Sequence, residues 1–213
     1  MAYFLPEGSK IFISTGFASA KTVTGITNAD PAVATSVAHG YVDNDELLLT
    51  SGWEDADSSV WRADQLTADT FSLLGLDATD TTWFPAGSGA GTAQKVTGWL
   101  ELAQWLDVQT SGGDGRQVTV EPISRRNAIS MPAGFNPTEV TLTFGHDMSS
   151  ASQIALTAAS RGLQKRAFKA SIAGGMTAYF YGNVSMSEMP QIQRGQVLKV
   201  TCKVNVLGRF ISY

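Results

Sequence analysis

Two histidines, a single cysteine and two bursts of carboxylate are the residues of this chain that most invite a chemical reading. The densest stretch, residues 38–57, runs AHGYVDNDELLLTSGWEDAD. A calcium loop of the EF type needs oxygen ligands at alternate positions, a glycine at the sixth and a closing glutamate. The pieces DNDELL and EDADSSVW alternate their carboxylates but have neither the glycine nor the closing acid. The expectation is therefore structural. Asp43 and Asn44 form a turn, Leu47 to Leu49 open a strand, and Glu54, Asp55 and Asp57 make a solvated turn after Gly52. A calcium site of another geometry stays open at this stage. Zinc needs a cluster of His and Cys, and His39, His146 and Cys202 are too few and too scattered to make one.

Nucleophilic catalysis fares no better. No serine sits in a Gly-x-Ser-x-Gly elbow, and Cys202 lies mid-strand among apolar neighbours, where it reads as a small buried hydrophobe. His146-Asp147 falls just ahead of a helical stretch and reads as N-terminal turn chemistry. Glycosidase-type carboxylate pairs are defined by distance in space, so the sequence leaves them open. The glycines of AGSGAGTA lead into strand-like residues rather than a helix with a lysine, so they build no phosphate loop. Basic and aromatic residues interleave only around KRAFK, too little to grip nucleic acid. No enzyme, cofactor or metal centre is expected.

The elements around these residues are mostly strands. Leu198, Val200, Cys202, Val204 and Val206 alternate with Lys199, Thr201, Lys203 and Asn205, the period of a strand with one buried face. TEVTLTF repeats the pattern through Val140, Leu142 and Phe144. TAYFYGNV sets Ala178, Phe180 and Val184 against Tyr179 and Tyr181. Shorter strands are expected at 10–14, 97–107, 116–121 and 167–172, which puts Trp99 and Trp105 on one face of one strand as core or subunit packing. SSASQIALTAASRG changes period: Ala151, Ile154, Ala155, Ala158 and Ala159 form a helical stripe, Ser150 and Gln153 have capping-box spacing, and Gly162 supplies a left-handed stop.

At 213 residues the chain can bury roughly 70% of its unfolded surface, enough for one domain plus a small module. It has no apolar run long enough to cross a membrane as a helix, and MAYFLPEGSK does not read as a secretory leader. A lone cysteine fits assembly in a reducing compartment. Residues 22–95 differ in composition, rich in Thr, Ala, Asp and Gly, with strands expected at 46–50, 59–63 and 70–74. They read as a small all-β module inserted into a domain made of 1–21 and 96–213, with PAGSGAGTA as its exit linker. Residues 1–105 carry 4 Lys or Arg against 13 Asp or Glu, and residues 106–213 carry 11 against 6. Such opposed halves suit head-to-tail self-association. The connection from Gly112 to Pro137 holds a glycine-rich turn, the strand expected at 116–121 and then RRNAISMPAGFNP, a piece with no clean period that is too apolar for a free loop and is expected to dock on another subunit.

Taken together, GWLELAQWLDVQTSGGDGRQVTVEPIS, the loop, TEVTLTFGHDMSSASQIALTAASRG, AFKASIAGGMTAYFYGNVS and the closing GQVLKVTCKVNVLGRFISY resemble the major tail tube proteins of long-tailed (siphovirus-type) bacteriophages. Residues 24–92 look like a small β module of other phage tail proteins. The resemblance implies a mainly β protein: a β-sandwich or barrel-like tube domain flanked by one short helix. It implies a structural virion protein, assembled in the host bacterial cytoplasm, whose six-membered rings stack into the tube that conducts the genome into the host. Its partners would be further copies of itself, a tape measure protein and tail-end proteins, with DNA passing through an acidic lumen unbound. On that reading Glu101, Asp107, Glu121 and Glu139 are candidates to face the lumen, and Arg125, Arg126, Met131 and Phe135 to lie in an inter-ring loop. The competing expectation is a carbohydrate-binding or adhesin-type β-sandwich, for which Trp53, Trp61, Trp83, Trp99 and Trp105 would supply a shallow aromatic groove.

Overall fold

The computed structural model describes residues 7–213; residues 1–6, on which part of the leader reading rests, lie outside it. The protein is mainly β, with sixteen strands and one helix among the described residues. In chain order the strands are β1 (Lys10–Phe17), β2 (Lys21–Val23), β3 (Gly25–Ile26), β4 (Ala32–Thr35), β5 (Glu46–Ser51), β6 (Ser59–Gln65), β7 (Thr70–Leu73) and β8 (Gly91–Glu101). There follow β9 (Trp105–Ser111), β10 (Gly115–Val120), β11 (Ile129–Phe135) and β12 (Glu139–Gly145), then helix α1 (Ala151–Arg161). The last strands are β13 (Lys165–Ser171), β14 (Thr177–Met186), β15 (Lys199–Val206) and β16 (Ile211–Ser212).

Two hydrogen-bonded systems share β8. Its first residues pair with β2 on one side and β5 on the other, and β5-β6-β7-β4-β3 continue the sheet. Because β2 and β3 are one strand broken at Thr24, whose N–H donates to Thr35, this sheet closes on itself as a small barrel. Val23, Leu47, Leu49, Trp53, Trp61, Phe71, Leu73 and Ala93 fill its interior. Closure leaves the barrel's strands without unpaired edges. The far half of β8 pairs with β1, and the sheet runs on through β13, β14, β15 and β12 to β9. That sheet rolls up, since β8 at one border and β9 at the other are joined by only residues 102–104, where Leu102 is buried and Gln104 is left-handed at φ 60°.

The roll has its own apolar interior: Ile11, Ile13, Leu102, Val140, Leu142, Phe144, Phe168, Phe180, Val200, Cys202 and Val204. These are the inward positions of the alternating patterns, so the period-two reading of the strands holds. β14 turns the corner of the roll, pairing with β13 along its first residues and with β15 along its last. Gly182 sits at the overlap, where an added Cβ would lie 2.3 Å from the Asn205 carbonyl oxygen. No side chain fits there, which is the usual reason for a glycine in a strand interior.

Several expectations are corrected. The helix turns a different face inward: Ser152, Gln153, Leu156 and Ala159 are buried, whereas Ile154 is 57% exposed. Ser150 makes no side-chain cap bond. Gln153 instead donates to the Gly145 carbonyl at 2.5 Å and accepts from the Asp147 N–H at 3.1 Å, satisfying the backbone ahead of the helix. Gly162 is not left-handed, with φ −81°; Leu163 takes that role at φ 50°. Residues 97–107 are not one strand, because the corner at Leu102 separates Trp99 in β8 from Trp105 in β9. The Gly/Ser-rich exit segment is no free linker: Gly89 packs on Trp53 and Ile26, and Gly91 already belongs to β8.

Replacing Gly182 with Ala is expected to destabilise the protein by about 1–3 kcal/mol, since the methyl group must displace backbone. Gly25→Ala, with nothing within 4 Å of the new Cβ, is expected to stay within about 0.5 kcal/mol of the parent. Urea unfolding midpoints at unchanged slope check both.

Candidate assembly interface

The connection between β9 and β12 is a hairpin: the one strand expected within it forms as β10, and residues 129–135, expected as loop, pair with it as β11. β10 and β11 pair as a two-stranded sheet separate from the rest. Val118 lies opposite Met131 and Val120 opposite Ile129, so these four share one face; Thr119 opposite Ser130 and Gln117 opposite Pro132 form the other. Period two is present in each strand, on either side of a turn containing Arg125 and Arg126. All six residues of β10 are exposed, and Met131 and Phe135 are 53% and 77% exposed. An isolated hairpin is marginal in water, and one with a bare apolar face needs a cover. Of the four residues assigned to this loop, Met131 lies on the apolar face and Phe135 follows it on β11, while Arg125 and Arg126 occupy the turn, where the Arg125 N–H donates to Pro122 at 3.0 Å.

The four acidic candidates do not form one cluster. Following the register from β8 across to β9 puts Glu101, Glu139 and Asp107 on the outward side of the roll, while Glu121 belongs to the hairpin. Glu101 is paired with Lys10 at 3.0 Å and Glu139 with Lys203 at 2.9 Å. Lys203 holds the Glu139 carboxyl below its ordinary range. The same side carries Lys165 and Lys199, so its charge is mixed rather than uniformly acidic. Among the unpaired strand edges of the described residues are the outer edge of β9 and residues 97–101 of β8, besides the outer edges of the hairpin itself.

A polar network that the sequence reading missed joins barrel to roll. Glu46, at the start of β5, accepts from Lys169 on β13 at 2.8 Å, from the Tyr179 hydroxyl on β14 at 2.6 Å, and from the indole N–H of Trp99. Arg62 on β6 donates to the Tyr179 hydroxyl at 3.0 and 3.1 Å, and its guanidinium lies 4.6 Å from the Tyr213 ring centre. Tyr213 in turn donates to the Leu74 carbonyl and accepts from the Arg62 N–H. Leu48, Val60, Val96, Ala167 and Tyr179 pack beneath. Burial, followed by the hydrogen bond to Glu46, pushes the Tyr179 hydroxyl well above the ordinary phenol range. Asp55 pairs with Arg209 at 2.5 Å across the same junction. Part of the charge opposition between the two halves is thus spent inside the chain.

The carboxylates of the opening stretch serve turns and pairs. Asp43 accepts from the Gln65 N–H, Asp45 pairs with Lys95 at 2.6 Å, and Asp57 accepts from the Ser51 N–H. Among the described residues no group of three or more His, Cys, Asp or Glu side chains is placed to hold a metal ion. His39 is buried with both ring nitrogens engaged, Nδ1 by the Tyr41 N–H and Nε2 by the Thr67 carbonyl. Asp147 caps its own turn through the Ser149 N–H and hydroxyl. Burial drives the Cys202 thiol up to about 12. The tryptophans form no groove: Trp53 and Trp61 are buried, Trp99 and Trp105 are half-buried against separate cores, and Trp83 stands alone at 67% exposure.

A comparison with protein families matches residues 51–213 to the phage tail tube protein (TTP) family. The chain belongs to that family. It is a structural family of phage tails and not an enzyme family, which places the protein in the virion tail. The match begins at the last residue of β5, so it takes in part of the barrel and every strand of the roll except β1. None of the curated proteins compared matches this tail tube protein. Among the described residues no helix is long and apolar enough to cross a membrane.

The buried hydroxyls predict alkaline lability. Burial lifts Tyr41 to about 12, and Tyr179 is raised as well, so the native state holds these protons more tightly than the unfolded chain does. Their contribution is complete below pH ~10 and is lost as pH climbs through the folded values, at about 1.4 kcal/mol per pH unit for each group. Urea midpoints measured above pH ~10, with tyrosinate absorbance in parallel, are expected to fall steeply. Tyr41→Phe is expected to flatten the slope by one group, and an unchanged slope would count against this account.

Proposed function

We propose that this tail tube protein polymerises through its exposed β surfaces into six-membered rings, and that the rings stack into the conduit through which phage DNA leaves the tail. The observation that carries the reading is the amphipathic β10–β11 hairpin, whose Val118, Val120, Ile129 and Met131 are exposed and face nothing among the described residues. The unpaired edges of β8 and β9 support it, because a ring of copies pairs such edges without leaving one exposed.

In this arrangement the hairpin, with Arg125 and Arg126 at its turn, reaches between rings. Glu101, Asp107 and Glu139, on the outward side of the roll, line or border the lumen, where paired and mixed charges give DNA phosphates no continuous cationic track to bind. Glu121 travels with the hairpin. The barrel of residues 22–95 is the inserted module and decorates the tube exterior. A tape measure protein and tail-end proteins complete the assembly, which forms in the host cytoplasm.

Purified protein is expected to form rings or tubes in negative-stain images at high concentration. The double substitution Arg125→Glu, Arg126→Glu is expected to leave rings but stop elongation. Tubes of parental length from that variant would remove the hairpin turn from the inter-ring contact. Small dispersed particles of the parental protein, with binding on a glycan array, would favour the adhesin reading instead.

A further inference from the structure

The hairpin has a counterpart at the other end of the strands that carry it. β9 and β12 run antiparallel, and the hairpin leaves them where Ser111 lies opposite Glu139. At their opposite end Trp105 lies opposite Phe144, and there the surface opens into a groove of about 540 Å³ lined by Gln104, Leu106, Gly145, His146, Val197 and Leu198. Leu106, Val197 and Leu198 are 49%, 62% and 42% exposed, an apolar patch that nothing among the described residues covers. His146 Nδ1, on the groove wall, is buried without a hydrogen-bond partner among the described residues. Such a group costs free energy until something supplies one. Projection and groove are thus separated by the length of β9, roughly 20 Å at strand rise.

Resting on the assembly reading above, we infer that the groove between Gln104 and Leu198 is the acceptor for the β10–β11 hairpin of a second copy. A shift along the β9–β12 axis carries the apolar side of the hairpin, with Phe135 beyond it, toward Leu106, Val197 and Leu198 of the next molecule. Hairpin groups, either free backbone amides or the arginines of the turn, then partner His146. The contact is heterologous: each copy offers a hairpin at one end and a groove at the other, and repetition along an axis yields a filament rather than a closed dimer. The unequal surfaces explain how a chain with an uncovered apolar hairpin grows in one dimension instead of aggregating in all directions.

Heterologous pairing has a signature that a symmetric or non-specific contact lacks. A groove variant, Val197→Glu with Leu198→Gln, keeps its hairpin. A hairpin variant, Met131→Glu with Phe135→Glu, keeps its groove. All four positions are exposed, and circular dichroism with tryptic resistance establishes that each variant is folded. Neither variant alone is expected to elongate. An equimolar mixture is expected to stop at one paired layer, seen as a single new species twice the mass of either alone in sedimentation velocity. Should the folded groove variant polymerise to parental length, or the mixture give no new species while the parental protein forms tubes, the groove assignment falls and the assembly reading stands. If the parental protein itself forms no tubes, both fall. Were the groove variant to misfold, Val197→Ser alone takes its place in the same mixture.

Discussion

One strand belongs to two closed hydrogen-bonded systems, and the rest of the molecule is arranged around that constraint. β8 completes the barrel with its first half and borders the roll with its second, so barrel and roll cannot move independently without breaking a continuous strand. Glu46 fixes the remaining freedom. It takes an ammonium, a phenol and an indole N–H from three different strands of the roll. A carboxylate with that many donors is well compensated for its burial, and removing any one donor leaves a buried charge short of partners. The insertion-like composition of residues 22–95 therefore coexists with a rigid mechanical union.

The distribution of apolar surface divides the protein into what one chain completes and what it does not. Barrel and roll interiors are filled by their own side chains. The hairpin, the outer edge of β9, the groove beside His146 and Ile154 on the helix stay open. These lie on the roll and its hairpin, within the residues that the tail tube family match covers, while the barrel exposes Val37, Val42, Leu66 and Trp83 singly. A structural protein that works only as a polymer has reason to leave hydrogen-bond edges and apolar faces for its neighbours.

Much of the strand content was legible because a half-buried strand writes its burial into alternate residues. Val140, Leu142 and Phe144, or Val200, Cys202 and Val204, point inward as their spacing requires. The helix face was not legible. Its alanines make a weak stripe, while the side actually buried includes Ser152 and Gln153, whose polarity is satisfied by neighbouring backbone that no pattern of hydropathy records. Of the hairpin, β10 matches the strand expected at 116–121, whereas β11 was not legible, because Pro132 and Gly134 interrupt its pattern and its apolar positions face away from the parent chain. Asp43 and Asp57 serve turns, as expected, but Asp45 is buried against Lys95, Asp55 pairs with Arg209 across the junction, and Glu46 has two of its three partners more than a hundred residues away in sequence, where no local pattern shows them.

The sequence by itself determined the β class, the strands with a single core face, the presence of one helix and the lack of any residue set suited to zinc or a nucleophile. These follow from local periodicity and residue type, which do not depend on which distant segments meet. Only the tertiary structure decided that residues 22–95 close as a barrel, that Tyr179 and Tyr181 are covered on their outer face, and that the hairpin and its groove sit at opposite ends of one strand pair. Each of those rests on register and on the roll of the sheet, quantities fixed by cooperative packing of segments far apart in the chain.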